Sequence, residues 1–158
     1  MSRATRAAAV AAAVIVGLLL LVGPAGLRLR RQQVLVHAAA KGQMPIIRAG
    51  VALGADPSSN LTGGYPLYAA AWNGHADAVE LLLGYGAGVD ATEASGATAL
   101  MAAAGRGDDA VVRRLLAHGA SLTAAMDCGN ALDIAVANRH DTTAAILAAA
   151  GATPSRRR

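Results

Sequence analysis

The sequence predicts an all-α fold: a solenoid of about four helix-turn-helix units, preceded by one apolar helix of transmembrane or signal type. Two residue types carry the first part of that prediction. Leu35, Leu67, Leu100 and Leu132 recur at spacings of 32, 33 and 32 residues, and Gly54, Gly86, Gly119 and Gly151 keep the same spacings. A shared register of about 33 residues marks a chain built from small repeated units that bury their apolar faces by stacking on one another. The third observation is compositional: from Ala7 to Leu27 there are 21 residues without a charge.

That uncharged run sets residues 1–31 apart. At about 1.5 Å per helical residue it reaches about 30 Å, the thickness of a bilayer's hydrocarbon core. A retained anchor is the reading its length favours, because the apolar core of a cleaved secretory signal runs only about 7 to 15 residues. The alternative is cleavage, with Arg3 and Arg6 as the basic start and Gly23-Pro24-Ala25 as a small-residue exit site. Arg28, Arg30, Arg31 and Lys41 on the far flank favour a cytoplasmic location for the repeats, by the positive-inside rule. A short basic leader ahead of an apolar run has the form of a segment that exports its downstream domain, and the expectation taken is a membrane-anchored chain with its repeats on the periplasmic or extracellular side. A soluble periplasmic protein after signal cleavage, and repeats on the cytoplasmic face, stay open. The single Cys128 can make no internal disulfide and fits either compartment.

The repeat region spans residues 32–155, with units at about 33–61, 62–94, 95–127 and 128–155, and a basic tail at 156–158. In the second helix of each central unit, Val79, Leu82 and Leu83, and likewise Val112, Leu115 and Leu116, stand at i, i+3, i+4 and form one narrow apolar face. Ala69–Ala71 and Ala102–Ala104 favour helix and are small enough to let neighbouring first helices approach closely. Gly54, Gly86, Gly119 and Gly151 then fall where a left-handed residue stops a helix. Polar, turn-rich stretches (56–64, 90–96 and 123–129) separate the units.

The clearest copy runs Gly63-Gly64-Tyr65-Pro66-Leu67-Tyr68-Ala69-Ala70-Ala71-Trp72-Asn73-Gly74-His75, then Ala78-Val79-Glu80-Leu81-Leu82-Leu83-Gly84-Tyr85-Gly86-Ala87. The next agrees from Gly96 through Leu100, Gly107 and Leu115 to Ala120. This phrase resembles the ankyrin repeat over roughly residues 33–155. The resemblance implies hairpin fingers between units and a concave groove faced by residues at the positions of Trp72 and Asn73. Departures gather at the ends: Val36, Pro45 and Gly50 in the first unit, and Ala131, Asp133 and Arg139 in the last, where a terminal unit meets water on one side. Arg139 stands in the place of Gly42, Gly74 and Gly107, so its turn is either strained or differently built.

The chain's net charge of +4 is misleading about partners. Between residues 32 and 155 there are six basic residues against all ten acids, so the repeat region is near −4. A phosphate-binding face needs a basic surface, and nucleic acid is excluded as a partner. Catalytic and metal patterns are weak. His75 and His140 hold equivalent positions after the interhelical turn, and His118 falls where Tyr85 falls one unit earlier. No Cys and His cluster has zinc spacing, and no serine sits in a nucleophile-elbow context. Asp108 and Asp109 suit the start of a second helix. The expectation is no enzyme, no cofactor, no metal and no small-molecule substrate.

The chain's three Tyr and one Trp (Tyr65, Tyr68, Tyr85 and Trp72) all fall in the second unit, and there is no Phe. Tyr65, Tyr68 and Trp72 are spaced i, i+3, i+7, on one face of the first helix and its approach. Aromatics exposed near the centre of a surface are the usual anchors of protein recognition. The candidate protein-binding residues are therefore Tyr68, Trp72, Asn73, Met101, Arg106, Met126 and Asp127. Lys41 and Arg106 share the register of Asn73, and Leu61, Thr62, Ala94, Ser95, Met126 and Asp127 fall at finger tips. Cys128, in the turn position of Gly63 and Gly96, reads as a small residue filling that place. The function expected is a non-catalytic, membrane-tethered scaffold that binds a protein partner through its concave face. The alternative is a cleaved periplasmic protein that protects or stabilises an exported enzyme.

Overall fold

A computed structural model of the chain describes residues 24–59 and 65–155. Most of the uncharged run, the finger residues Leu61, Thr62 and Gly63, and the basic tail lie outside the described residues. Eight helices are described: α1 (Pro24–Ala40), α2 (Met44–Ala52), α3 (Pro66–Trp72), α4 (Ala76–Gly84), α5 (Ala99–Arg106), α6 (Asp109–Ala117), α7 (Ala131–Ala137) and α8 (Asp141–Ala149). A two-stranded finger, β1 (Ala125–Met126) and β2 (Gly129–Asn130), sits between α6 and α7. Among the described residues no helix is long and apolar enough to cross a membrane.

The helices form two rows. In one, α1, α3, α5 and α7 pack side by side; in the other, α2, α4, α6 and α8 do the same, and each consecutive pair closes a unit across the rows. The leucine register is buried between them, with Leu35, Leu67 and Leu100 no more than 2% exposed and Leu132 7%. Leu82, Leu115 and Leu147 repeat one register along the second row and are fully buried. Each such side chain stabilises the fold by about 1.5 to 3 kcal/mol, more than an exposed ion pair contributes. The alanine prediction holds in packing terms: Ala39, Ala70, Ala71, Ala103, Ala104 and Ala135 have no exposed surface.

All four register glycines have positive φ, between +80° and +97°. Each closes its helix with the same pair of bonds, in the second unit from Gly86 N–H to Leu83 O at 2.9 Å and from Ala87 N–H to Leu82 O at 3.0 Å. The interhelical turns repeat that pattern. In the last unit Arg139 N–H donates to Val136 O and His140 N–H to Ala135 O while Arg139 holds φ +62°. Its turn is therefore the same as the others, built on a non-glycine residue in the left-handed region. Asp108 caps α6, its Oδ1 accepting from Val111 N–H at 3.1 Å, with Asp109 in the first turn.

Two features differ in detail from the sequence reading. α1 is 17 residues long and runs unbroken through the position between residues 31 and 32. The finger's register pairs Ala125 with Asn130 and Met126 with Gly129, so Asp127 and Cys128 form the turn. Left-handed φ thus falls on Gly129 (+111°), one place later than Gly96 (+83°) would suggest. The finger then feeds directly into α7 through a reciprocal cap, Asn130 Oδ1 accepting from Asp133 N–H and Asp133 Oδ2 from Asn130 N–H.

Candidate functional site

Tyr65 is extended (φ −85°, ψ 134°) and Pro66 comes next at the first helical position, where its fixed φ suits the helix and its missing N–H is no loss. α3 therefore starts in a register that places Tyr68 and Trp72, four residues apart, on one face. Their rings stack with centroids 6.1 Å apart and planes at 16°. Tyr68 packs against the core, whereas Trp72 is 53% exposed. Burial and the nearby Glu93 carboxylate both push the Tyr68 phenol above its ordinary pKa. Glu93 is held there by accepting from Tyr65 N–H at 3.3 Å.

The stacked pair forms one wall of a groove of about 420 Å³. Met101 and Arg106 of α5, Ile134 of α7 with Asn138 at its C-terminal cap, and Met126 and Cys128 of the finger complete it. Ala97, Ala102 and Gly105 make the floor. Gly105 occupies the register of Trp72, and a β-carbon there would lie 3.4 Å from Ile134 Cγ2. Without it, Gly105 O accepts from Asn138 Nδ2 at 3.3 Å and lies 3.1 Å from His140 Nε2. Among the described residues, Arg106 is the one charged side chain on the lining. The groove is thus apolar, aromatic at one wall and marked by a single cation, which suits an apolar segment carrying a hydrogen-bond acceptor.

Of the residues singled out in the sequence, Tyr68, Trp72, Met101, Arg106 and Met126 come together around this groove. Asn73 and Asp127 are not on its lining. Asn73 caps its own helix, donating from Nδ2 to Ala69 O at 2.8 Å, and Asp127 is exposed at the finger turn. Tyr65 precedes the helix, and Tyr85 caps α4 at the opposite end of its unit, so neither joins the stacked pair. Besides the floor residues Ala97, Ala102 and Gly105, the lining residues Asn138, Cys128 and Ile134 are not among the sequence candidates. Asn138 shares the register of Asn73 and Arg106, a signal the repeat spacing contains. Cys128 reads in the sequence as a stand-in for glycine, but the finger's shifted turn makes it an exposed lining residue. Ile134 stands in the register of Ala102, and nothing in its residue type points to the groove.

Several other polar side chains join units to one another. His75 Nε2 lies 3.0 Å from Ala40 O of the unit before, as His140 Nε2 does with Gly105 O. Arg114 donates to Ala76 O at 2.7 Å and to Asp77 at 2.8 Å, and His118 meets Glu80 at 3.1 Å. Thr143 donates to Asp109. Among the described residues no group of three or more His, Cys, Asp or Glu is placed to hold a metal ion.

The family model for ankyrin repeats in three copies matches residues 6–93 and again 67–158. The chain belongs to the ankyrin repeat family. No curated protein matches it. Ankyrin repeats are generally protein-interaction modules, and the groove lies where this ankyrin array presents its first helices and a finger together. The ankyrin turn glycines explain why the bonds from His75 and His140 form: the missing side chains let the next unit's ring come within reach of a carbonyl.

Proposed function

We propose that this ankyrin chain is a non-catalytic scaffold, tethered to a membrane by residues 7–27, that holds a partner protein in the groove between α3, α5, α7 and the finger. The observation that carries the reading is Trp72: a large aromatic, 53% exposed, stacked on a half-buried tyrosine at the wall of an apolar groove. Such a side chain gains most from being covered, because its partner ring already fixes its rotamer and little freedom remains to be lost. Tethering raises the effective concentration of a partner on the same membrane, so modest intrinsic affinity suffices. The 21-residue uncharged run supports the tether, and the basic leader ahead of it supports placing the repeats on the exported side. Gly23-Pro24-Ala25 favours a second reading, a free periplasmic protein that protects an exported enzyme after cleavage.

Cys128 provides the test, since it is the only cysteine and it lines the groove. Full-length protein is used to capture partners from gently solubilised native membranes, with Trp72→Ala as comparison and intact mass measured on the same sample. The reading expects a defined partner that shields Cys128 from maleimide and is lost with Trp72→Ala by a factor of about thirty or more in affinity, as for an interface anchor. A partner that binds Trp72→Ala equally well and leaves Cys128 reactive would overturn the groove assignment. A mass short of the first 25 or so residues would replace the tether with the cleaved form.

A further inference from the structure

The first unit differs from the rest in charge and in what it leaves uncovered. Residues 24–55 carry Arg28, Arg30, Arg31, Lys41 and Arg48 and no acid. Residues 56–155 hold all ten acids against Arg106, Arg113, Arg114 and Arg139. The solenoid is therefore basic in its first unit and acidic along the remainder. Of the seven large apolar side chains exposed among the described residues, four belong to that basic unit: Leu29 at 43%, Val34 at 51%, Ile46 at 40% and Leu53 at 62%. Val34, Ile46 and Leu53 line one groove of about 210 Å³ between α1 and α2, flanked by Arg30 and Arg31. Its floor is Gly50, which stands in the register of the fully buried Leu82, Leu115 and Leu147. Where each later unit fills this place with leucine, the first leaves a shallow apolar concavity.

We propose that this end face rests on an anionic lipid surface, with Val34, Ile46 and Leu53 entering the headgroup boundary and the surrounding arginines meeting lipid phosphates. The inference rests on the tether reading and adds to it an orientation of the array. Two arguments select lipid as the occupant. Leu27, the last residue of the uncharged run, lies in the first turn of α1. Leu29 and Val34 come only about 3 and 10 Å further along the helix, within the roughly 5 to 10 Å depth that amphipathic surfaces occupy at the headgroup boundary. The second argument is charge. Exposed apolar groups interspersed with arginine and free of acid match an anionic interface. A second copy docked face to face would set these basic groups against their own kind. Residues 1–23 folding back would bring Arg3 and Arg6 to a surface that is already basic.

The test uses full-length chain with Cys128→Ser, reconstituted into vesicles of phosphatidylcholine alone or with phosphatidylglycerol. An environment-sensitive dye is carried at Leu53→Cys, or at Ala145→Cys on the exposed side of α8 as a reference. Lipid-borne nitroxides should quench the Leu53 site several-fold more than the Ala145 site, and only with phosphatidylglycerol present. Adding Arg30→Glu and Arg48→Glu should reduce that quenching by about fivefold or more, the size expected when basic residues leave an anionic surface. Chain that stays with the vesicles while its Leu53 site remains in water would overturn the inference and leave the tether intact. Chain that leaves the vesicles in alkaline carbonate would overturn both. Protection of the Leu53 site that ignores lipid charge and rises with protein concentration would assign the face to a second copy and overturn the proposal.

Discussion

Arg139 shows what the turn glycines are for. At Gly107 a β-carbon would face two obstacles: a φ of +73° and the His140 ring, whose nearest atom would lie 2.5 Å away. Arg139 adopts φ +62° in the equivalent turn and still carries a long side chain, because no described unit stacks on α7 and α8 from that side. Only the left-handed strain remains there, worth about 1 to 2 kcal/mol and partly offset by the greater freedom glycine would have in the unfolded chain. Arg139→Gly should therefore raise stability by about 0.5 to 1 kcal/mol, read as a higher urea midpoint by circular dichroism. Gly107→Ala should lower it by about 2 kcal/mol or more, since strain and overlap then act together. An unchanged or lowered midpoint for Arg139→Gly would refute the strain account. Tyr68 supports a second prediction. Its folded pKa is raised, so its contribution is complete below the unfolded value of 10.0 and is lost as pH climbs through the higher folded value. The chain's only tryptophan lies stacked on it, so phenolate formation should quench Trp72 fluorescence at a pH above the ordinary tyrosine range. Glu93→Gln should move that quenching downward, and quenching at or below pH 10 in the wild type would count against the burial and Glu93 account.

The cap of α7 joins a finger, a helix and the chain's last described residues. Asp133 accepts from Asn130 N–H and from both the N–H and the hydroxyl of Ser155, while Asn130 Nδ2 donates to Thr153 O at 2.7 Å. Asp133→Ala removes the carboxylate's half of the reciprocal cap and the Ser155 anchor together, so a loss of about 1 to 2 kcal/mol is expected. Hydrogen exchange should rise across α7 and the finger but not across α3. Uniform acceleration along the chain would show that the cap is not a local device. The helices were legible in the sequence because each rests on a residue type at a fixed repeat spacing: leucine inside, alanine between neighbouring first helices, and glycine after every helix but α7. Of the groove lining, the sequence pointed to Tyr68 and Trp72 through aromatic clustering and to Arg106 and Met126 through repeat register. The groove was not legible where a local bond or a one-residue shift decides the outcome. Asn73 turns back to Ala69 O, and the finger moves its left-handed residue to Gly129, bringing Cys128 onto the lining. Residues 1–31 were set apart by composition, and composition carries no information about whether a helix runs on past that point.

Among the described residues the main contacts between units run from each to the next, so stability should pass along the array by neighbours and not through one shared core. Position then decides what a core deletion does. Leu100 and Leu147 are equally well buried, at 1% and 0%, and truncating either to alanine removes about 2 to 5 kcal/mol of packing. Leu100 lies in the third unit, with neighbours on both sides. Leu147 lies in the last described helix, where fraying leaves the earlier units stacked. Leu100→Ala should therefore lower exchange protection from α3 through α8 together, whereas Leu147→Ala should lower it in α7 and α8 and spare α3 and α4. Identical patterns for the two variants would mean that the array unfolds as a single cooperative body. The same asymmetry reaches the groove, because Ile134, Asn138 and the finger belong to the fraying end while Trp72 and Tyr68 do not. Leu147→Ala, whose side chain touches no partner, should weaken binding through the groove in proportion to the fraction of frayed chains. The Tyr68–Trp72 stack, monitored by tryptophan fluorescence, should stay as it is in the wild type.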